Sequence, residues 1–397
     1  MSQHTAYTIT CCLLAGWLSV ASLWGQSGPK EKPQKIEIKQ AGSLRYDDSK
    51  GIKAQRLVDD VIFKTQNALM YCDSAYLYSD ANRLEAFGNV RITEGDSIEL
   101  RGDTMYYDGN TDLSQVRGNI TLEDNNTLLT TRYLDYNGQT DMVYYLGGGR
   151  IVNKSSTDTL TSTYGYYFPK QKTYYFKDSV VMRTPAYTIH CDTMQYNTLT
   201  EITRFFGPTN ITGDSSNIYC ERGWYDPKND RAMFKQHAYI QRNAQELAGD
   251  SVFYNRATGI GEAFGNVAIR DTVENFIVKG DWGINYEKDS LSIVTGHAEL
   301  IQVFARDSLF LHADTLYSSF DSTRQHRIIQ AYHGVRFFKP DLQGKCDSLV
   351  FSNADTTIRM YVDPVIWSDA NQLTADTIIL RNRDGELDRM WMDHNAF

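Results

Sequence analysis

The side chains best equipped for chemistry recur at one interval. Counted from the Asp of a Gly-Asp-Thr triplet, the equivalent positions are Asp73, Asp103, Arg132, Thr163, Asp192, Glu221, Asp250, Asp281, Asp314, Asp347 and Asp376, spaced 29 to 33 residues apart. Carboxylates in such a column could hold a ladder of cations if several oxygens converged at each point, as calcium requires. Ser or Thr follows most of these acids, however, and Arg132 and Thr163 interrupt the column. Asp and Thr bonding nearby backbone at a bend is the stronger reading. No metal and no other cofactor is expected.

The remaining reactive types give no catalytic pattern. His190 and His312 share one repeat position, two before the Asp, and the other histidines lack the spacing of a ligand pair. Cys72, Cys191, Cys220 and Cys346 all fall one residue before the repeat position. Cys191 and Cys220 stand one repeat apart, within lateral reach of a disulfide in an oxidising compartment. The same slot takes Gly, Ala, Ser and Thr elsewhere, so small-residue packing explains them equally well. A glycosidase would need a local pair of carboxylates that departs from the repeat. The acids recur evenly instead, and there is no phosphate loop or nucleophile elbow. The chain reads as non-enzymatic, and a parallel β-helix acting on polysaccharide is the enzymatic alternative.

Behind the column stands a two-strand unit, clearest at residues 96–122. Leu100-Arg101-Gly102-Asp103-Thr104-Met105-Tyr106-Tyr107-Asp108 reads as a strand ending in an Asp-Gly-Asn turn, and Val116–Leu122 as a second strand through Gly118-Asn119. About eleven such units follow one another after residue 70, with few helical periods anywhere. Apolar or small residues occupy positions −3, −1, +2 and +4 around the Asp: Leu100, Gly102, Met105 and Tyr107 in this copy. Strict alternation cannot place all four on one face. A bulge or bend at the Gly-Asp-Thr step would re-phase the strand and return both halves to the interior. The expected fold is therefore all-β: an elongated repeat of bent strands in two walls. Its lining is either a filled core or an apolar groove. The Gly147-Gly148-Gly149 turn and residues 318–328 read as surface insertions.

Composition agrees, with 26 Tyr, 8 Pro and 28 Gly among 397 residues. The net charge of −9 and the lack of a basic stripe argue against a nucleic-acid surface. Residues 1–25 carry a short apolar core, Cys11–Ala21, followed by small residues, and read as a signal peptide cleaved near Gly25-Gln26; an uncleaved anchor is the alternative. Residues 26–40 are a polar lead-in, and residues 41–397 form one continuous repeat region or two consecutive domains of one kind.

The paired signature, Leu247-Ala248-Gly249-Asp250-Ser251-Val252-Phe253-Tyr254-Asn255 followed by Gly261-Glu262-Ala263-Phe264-Gly265-Asn266-Val267-Ala268-Ile269, resembles the OstA-like (LptA) family of lipopolysaccharide-transport proteins. The likeness spans roughly residues 40–395 in successive short copies. It implies a β-jelly-roll whose interior groove carries the acyl chains of lipid A between inner and outer membranes. By position, the resemblance assigns lipid contact to the inward residues Val90, Ile92, Met105, Tyr107, Ile120, Leu134, Tyr136, Met194, Tyr196, Val252, Tyr254, Val267 and Ile269. It further implies a periplasmic location, associated with outer-membrane assembly. Its partners would be lipopolysaccharide and other OstA-like components, or a second copy joined by edge-strand addition. A purely structural envelope repeat is the remaining alternative.

Overall fold

The computed structural model describes residues 36–47, 53–64, 68–94, 98–156, 158–273, 275–304, 307–368, 371–383 and 386–397. The expected signal peptide, 1–25, and most of the lead-in lie outside the described residues. The chain forms two compact units. One comprises residues up to Asp214 with Asp226–Lys228, the other Ser215–Tyr225 with Asn229–Phe397.

Strands dominate both units because the repeat alternates Val, Ile, Leu, Thr and Tyr over stretches of about eleven residues, bounded by Asp, Asn and Gly turns. Asn82, Asp112 and Asp230 take the left-handed conformation in these turns, with φ of 52°, 53° and 51°. In the first unit Ala54–Lys64, Ala68–Tyr78, Arg83–Glu94, Ile98–Asp108, Leu113–Glu123 and Thr127–Asn137 pair antiparallel in succession. In the second, Arg231–Arg242, Gln245–Asn255, Ile260–Asp271, Phe276–Tyr286, Leu291–Val303, Ser308–Phe320, Arg327–Lys339 and Leu342–Ser352 do the same. Antiparallel pairing throughout these ladders excludes the parallel β-helix on which the enzymatic alternative depended.

Each long strand behaves as two arms. Thr127–Asn137 pairs through its first half with Gly149–Asn153 and through its second with Met142–Tyr145. Thr173–Arg183 divides likewise between Thr159–Ser162 and Tyr164–Phe168. In the second unit Leu342–Ser352 divides between Val365–Ser368 and Thr357–Tyr361. The arms can part into short strands because each keeps its own ladder and the corner between them carries little regular pairing.

The ladder begins inside the stretch read as lead-in. Glu37–Gln40 and Ser43–Asp47 pair with the two arms of Ala54–Lys64. They form a further copy of the unit, with Gly42 at the Asp position. The expected insertions also change character. Gly147 and Gly148, with φ of 76° and 105°, make the corner between two arms rather than a surface loop. At 318–328 the strands themselves lengthen to thirteen residues, leaving only 321–326 as a loop.

Candidate functional site

The site begins at the corner. Opposite Gly102-Asp103, the neighbouring strand carries one extra residue, so that the register jumps between Arg101 and Thr104 on one side and Arg117 and Thr121 on the other. Gly118 sits there with φ of 102°. A Cβ at this glycine would strike the Asp103 carboxylate, so both its backbone and its space demand glycine. Gly88, Gly265 and Gly296 repeat this left-handed glycine in other copies, each followed by a second left-handed residue, Asn89, Asn266 or His297. The strand one step before the Asp stays small for a related reason: a Cβ on Gly102 would meet Cγ1 of Val116 across the ladder.

This corner performs the re-phasing. In Ile98–Asp108 the buried positions are Ile98, Leu100, Gly102 and Met105, with Tyr107 half-buried, while Arg101, Asp103 and Tyr106 face out. In the second unit Leu311, Ala313 and Leu316 repeat the pattern, within a buried cluster that runs on through Ala331, Val335, Leu349, Met360 and Ile378. Positions of opposite parity thus share one interior, as the periodicity required.

The thirteen residues that the resemblance points to are buried or half-buried, each within its own unit. Val90, Ile92, Met105, Ile120, Leu134, Met194, Tyr196, Val252 and Val267 are buried, and Tyr107, Tyr136, Tyr254 and Ile269 are half-buried. Those in the first unit share a ladder: Ile92 lies opposite Leu100, Met105 opposite Val116, and Val116 opposite Leu134. The half-buried tyrosines stand near the ends of their arms. Tyr254 donates its hydroxyl to Glu287 at 3.1 Å. Burial first, then Asp112 and Asp108, raises Tyr107 above the usual tyrosine range.

Cys72, Cys191, Cys220 and Cys346 are buried thiols. Burial pushes Cys72 up to about 11 and Cys220 and Cys346 up to about 12. Cys191 and Cys220 stand here as free cysteines.

The Asp column does bond at the bend, though its main partner was not the one expected. Asp73 accepts from Nδ2 of Asn89 at 2.9 Å, Asp103 from Asn119 at 3.0 Å, and Asp250 from Asn266 at 3.1 Å. His237 on Glu221 and His297 on Asp281 fill the same role at 3.0 and 2.9 Å. Each partner lies sixteen residues after its acid, a constant spacing that the sequence displays and that could have revealed the clamp. Local bonds of the expected kind also occur, as from Thr193 to Asp192 at 3.0 Å. These carboxylates serve the corner, and among the described residues they do not gather into a metal-binding group.

Residues 33–192 match the family model of OstA-like proteins. No curated protein sequence matches the chain. Among solved structures, the chain is similar to LptH of Pseudomonas aeruginosa, described as the LptA-homologous periplasmic component of a lipopolysaccharide transport device. The likeness has 17% identity and a TM-score of 0.25, and covers 27% of this chain and 79% of that one. The fold assignment rests on the strands themselves and not on that slight overlap. Residues 33–192 are thus similar to OstA-like proteins.

Proposed function

We propose that the chain is a non-catalytic, periplasmic component of lipopolysaccharide transport that lodges the acyl chains of lipid A between the arms of its bent strands. The observation that carries this reading is the lining. In each unit most inward positions of both arms are apolar, which supplies a largely hydrocarbon surface. Each methylene that such a surface removes from water contributes about 0.8 kcal/mol. The OstA-like match over 33–192 supports the same reading. Bridging between membranes would engage further OstA-like components, or a second copy, strand to strand.

One observation favours a purely structural repeat instead. Leu57, Ala75, Val252, Ala331 and Val335 are already wholly covered by protein. Under the transport reading the arms part to admit lipid; under the structural one they stay closed. Organic extraction of the protein purified from its native cells, followed by mass spectrometry, separates the two. About one acyl lipid per chain supports transport. Folded protein without lipid, taking up none when offered lipid A, leaves the structural reading.

A further inference from the structure

Three hydroxyls in the first unit, those of Tyr167, Tyr174 and Thr203, are buried with no hydrogen-bond partner outside their own row. They are not scattered. Tyr167 lies opposite Tyr174, Tyr174 opposite Tyr196, and Tyr196 opposite Thr203, so four successive strands present them as one inward row. Tyr167, Tyr174 and Thr203 are 5%, 6% and 2% exposed. The rings of Tyr167 and Tyr174 stack with centroids 4.1 Å apart. An unsatisfied buried hydroxyl costs about 1–3 kcal/mol, and native interiors leave few of them. Phe and Val would fill the same volume without that cost.

The neighbouring charges decide what could satisfy the row. Asp141 lies within electrostatic reach of Tyr167, and Asp124 of Tyr174. Both acids are themselves 3% exposed. Lys170 stands 3.8 Å from Asp141 and offsets part of its charge. A phosphate or carboxylate entering here would meet this buried negative charge. An uncharged acceptor would meet only O–H donors, because a tyrosine or threonine hydroxyl turns freely to the lone pairs offered.

We propose that this row is a recognition site for the ester or amide carbonyls that join acyl chains to a sugar headgroup. The inference rests on the acyl-lipid reading and adds the chemical linkage to it. The hydrocarbon would run along the apolar ladder, and its first carbonyl would accept from Tyr167 and Tyr174 at the margin.

Two disaccharide surfactants of equal chain length test this, since sucrose monolaurate carries an ester carbonyl and dodecyl maltoside an ether oxygen. Calorimetric titration of the full chain should give about tenfold tighter binding of the ester, the worth of one hydrogen bond. The double variant Tyr167→Phe/Tyr174→Phe should lose that preference, keep its affinity for the maltoside, and melt at a higher temperature than the parent. Thr203→Val, read separately, should narrow the preference without loss of fold. Equal binding of the two surfactants by the parent, or an ester preference that survives the double variant, overturns the proposed site while leaving acyl binding intact. Failure of the parent to bind either surfactant overturns the acyl-lipid reading, and the site with it.

Discussion

Asn119 holds Asp103 twice, donating to Oδ2 from its backbone N–H at 3.1 Å and from its side-chain Nδ2 at 3.0 Å. The pair pins the point at which both strands change the face they present. It recurs as Asn89 on Asp73 and as Asn266 on Asp250, so one clamp is copied along the repeat. This clamp makes a two-armed interior from a chain whose alternation alone would make a flat sheet.

Removing the clamp should loosen the corner. Asn119→Ala should cost about 0.5–1.5 kcal/mol, because it leaves Asp103 one hydrogen bond short at an exposed site. Gly118→Ala should cost more, about 1–3 kcal/mol from backbone strain alone, with the steric conflict against Asp103 in addition. Urea unfolding followed by circular dichroism measures both. Equal stability for Gly118→Ala would show that the corner is not held as described.

The small residue before each Asp should be replaceable only with compensation. Gly102→Val drives a side chain into Cγ1 of Val116 and should destabilise by about 1–3 kcal/mol. Adding Val116→Ala should recover a large part of the loss, a coupling that a double-mutant cycle reads directly. Strictly additive costs would separate the two positions.

Parity offers a third test. Leu100 is 1% exposed whereas Arg101, its neighbour, faces out. Leu100→Ala should cost about 2–5 kcal/mol. Arg101→Ala should change stability by about 0.5 kcal/mol or less.

Much of this was legible in the sequence. The repeat of Asp103 and its equivalents, the strand pairs, and the shared burial of Leu100, Gly102, Met105 and Tyr107 all follow from spacing and residue type. The copy at Glu37–Asp47 was not legible, because Gly42 replaces the Asp that marks the register. Gly147-Gly148 read as a loop for the same reason: corner and loop both call for glycine, and only the pairing of Thr127–Asn137 with two partners tells them apart. The orphan hydroxyls of Tyr167 and Tyr174 depend on which strands meet across the interior. Their own positions in the repeat do not record that.

Alkaline pH should unfold the protein from within. Burial raises Cys220 and Cys346 from 9.0 to about 12, and Tyr145 and Tyr167 from 10.0 to about 12. The unfolded chain releases these protons first, so the folded state binds more protons through that window. Stability should be fully present below about pH 9 and fall progressively toward about pH 12. Urea midpoints measured in reductant across that range should decline, and Cys220→Ala should decline less steeply. A flat profile would contradict the buried state of these groups.

The central claim, that the interior takes up lipid, is tested most directly by photo-crosslinking in the native cells. A photoreactive residue at Met194 or Tyr196, both buried and inward, should yield a covalent adduct with lipopolysaccharide. The same residue at Gln195, which has the opposite parity between them, should yield none. Adducts at Met194 and Tyr196 alone are the result the account predicts. Folded protein with no adduct at either inward position, or with equal adducts at all three, would contradict it.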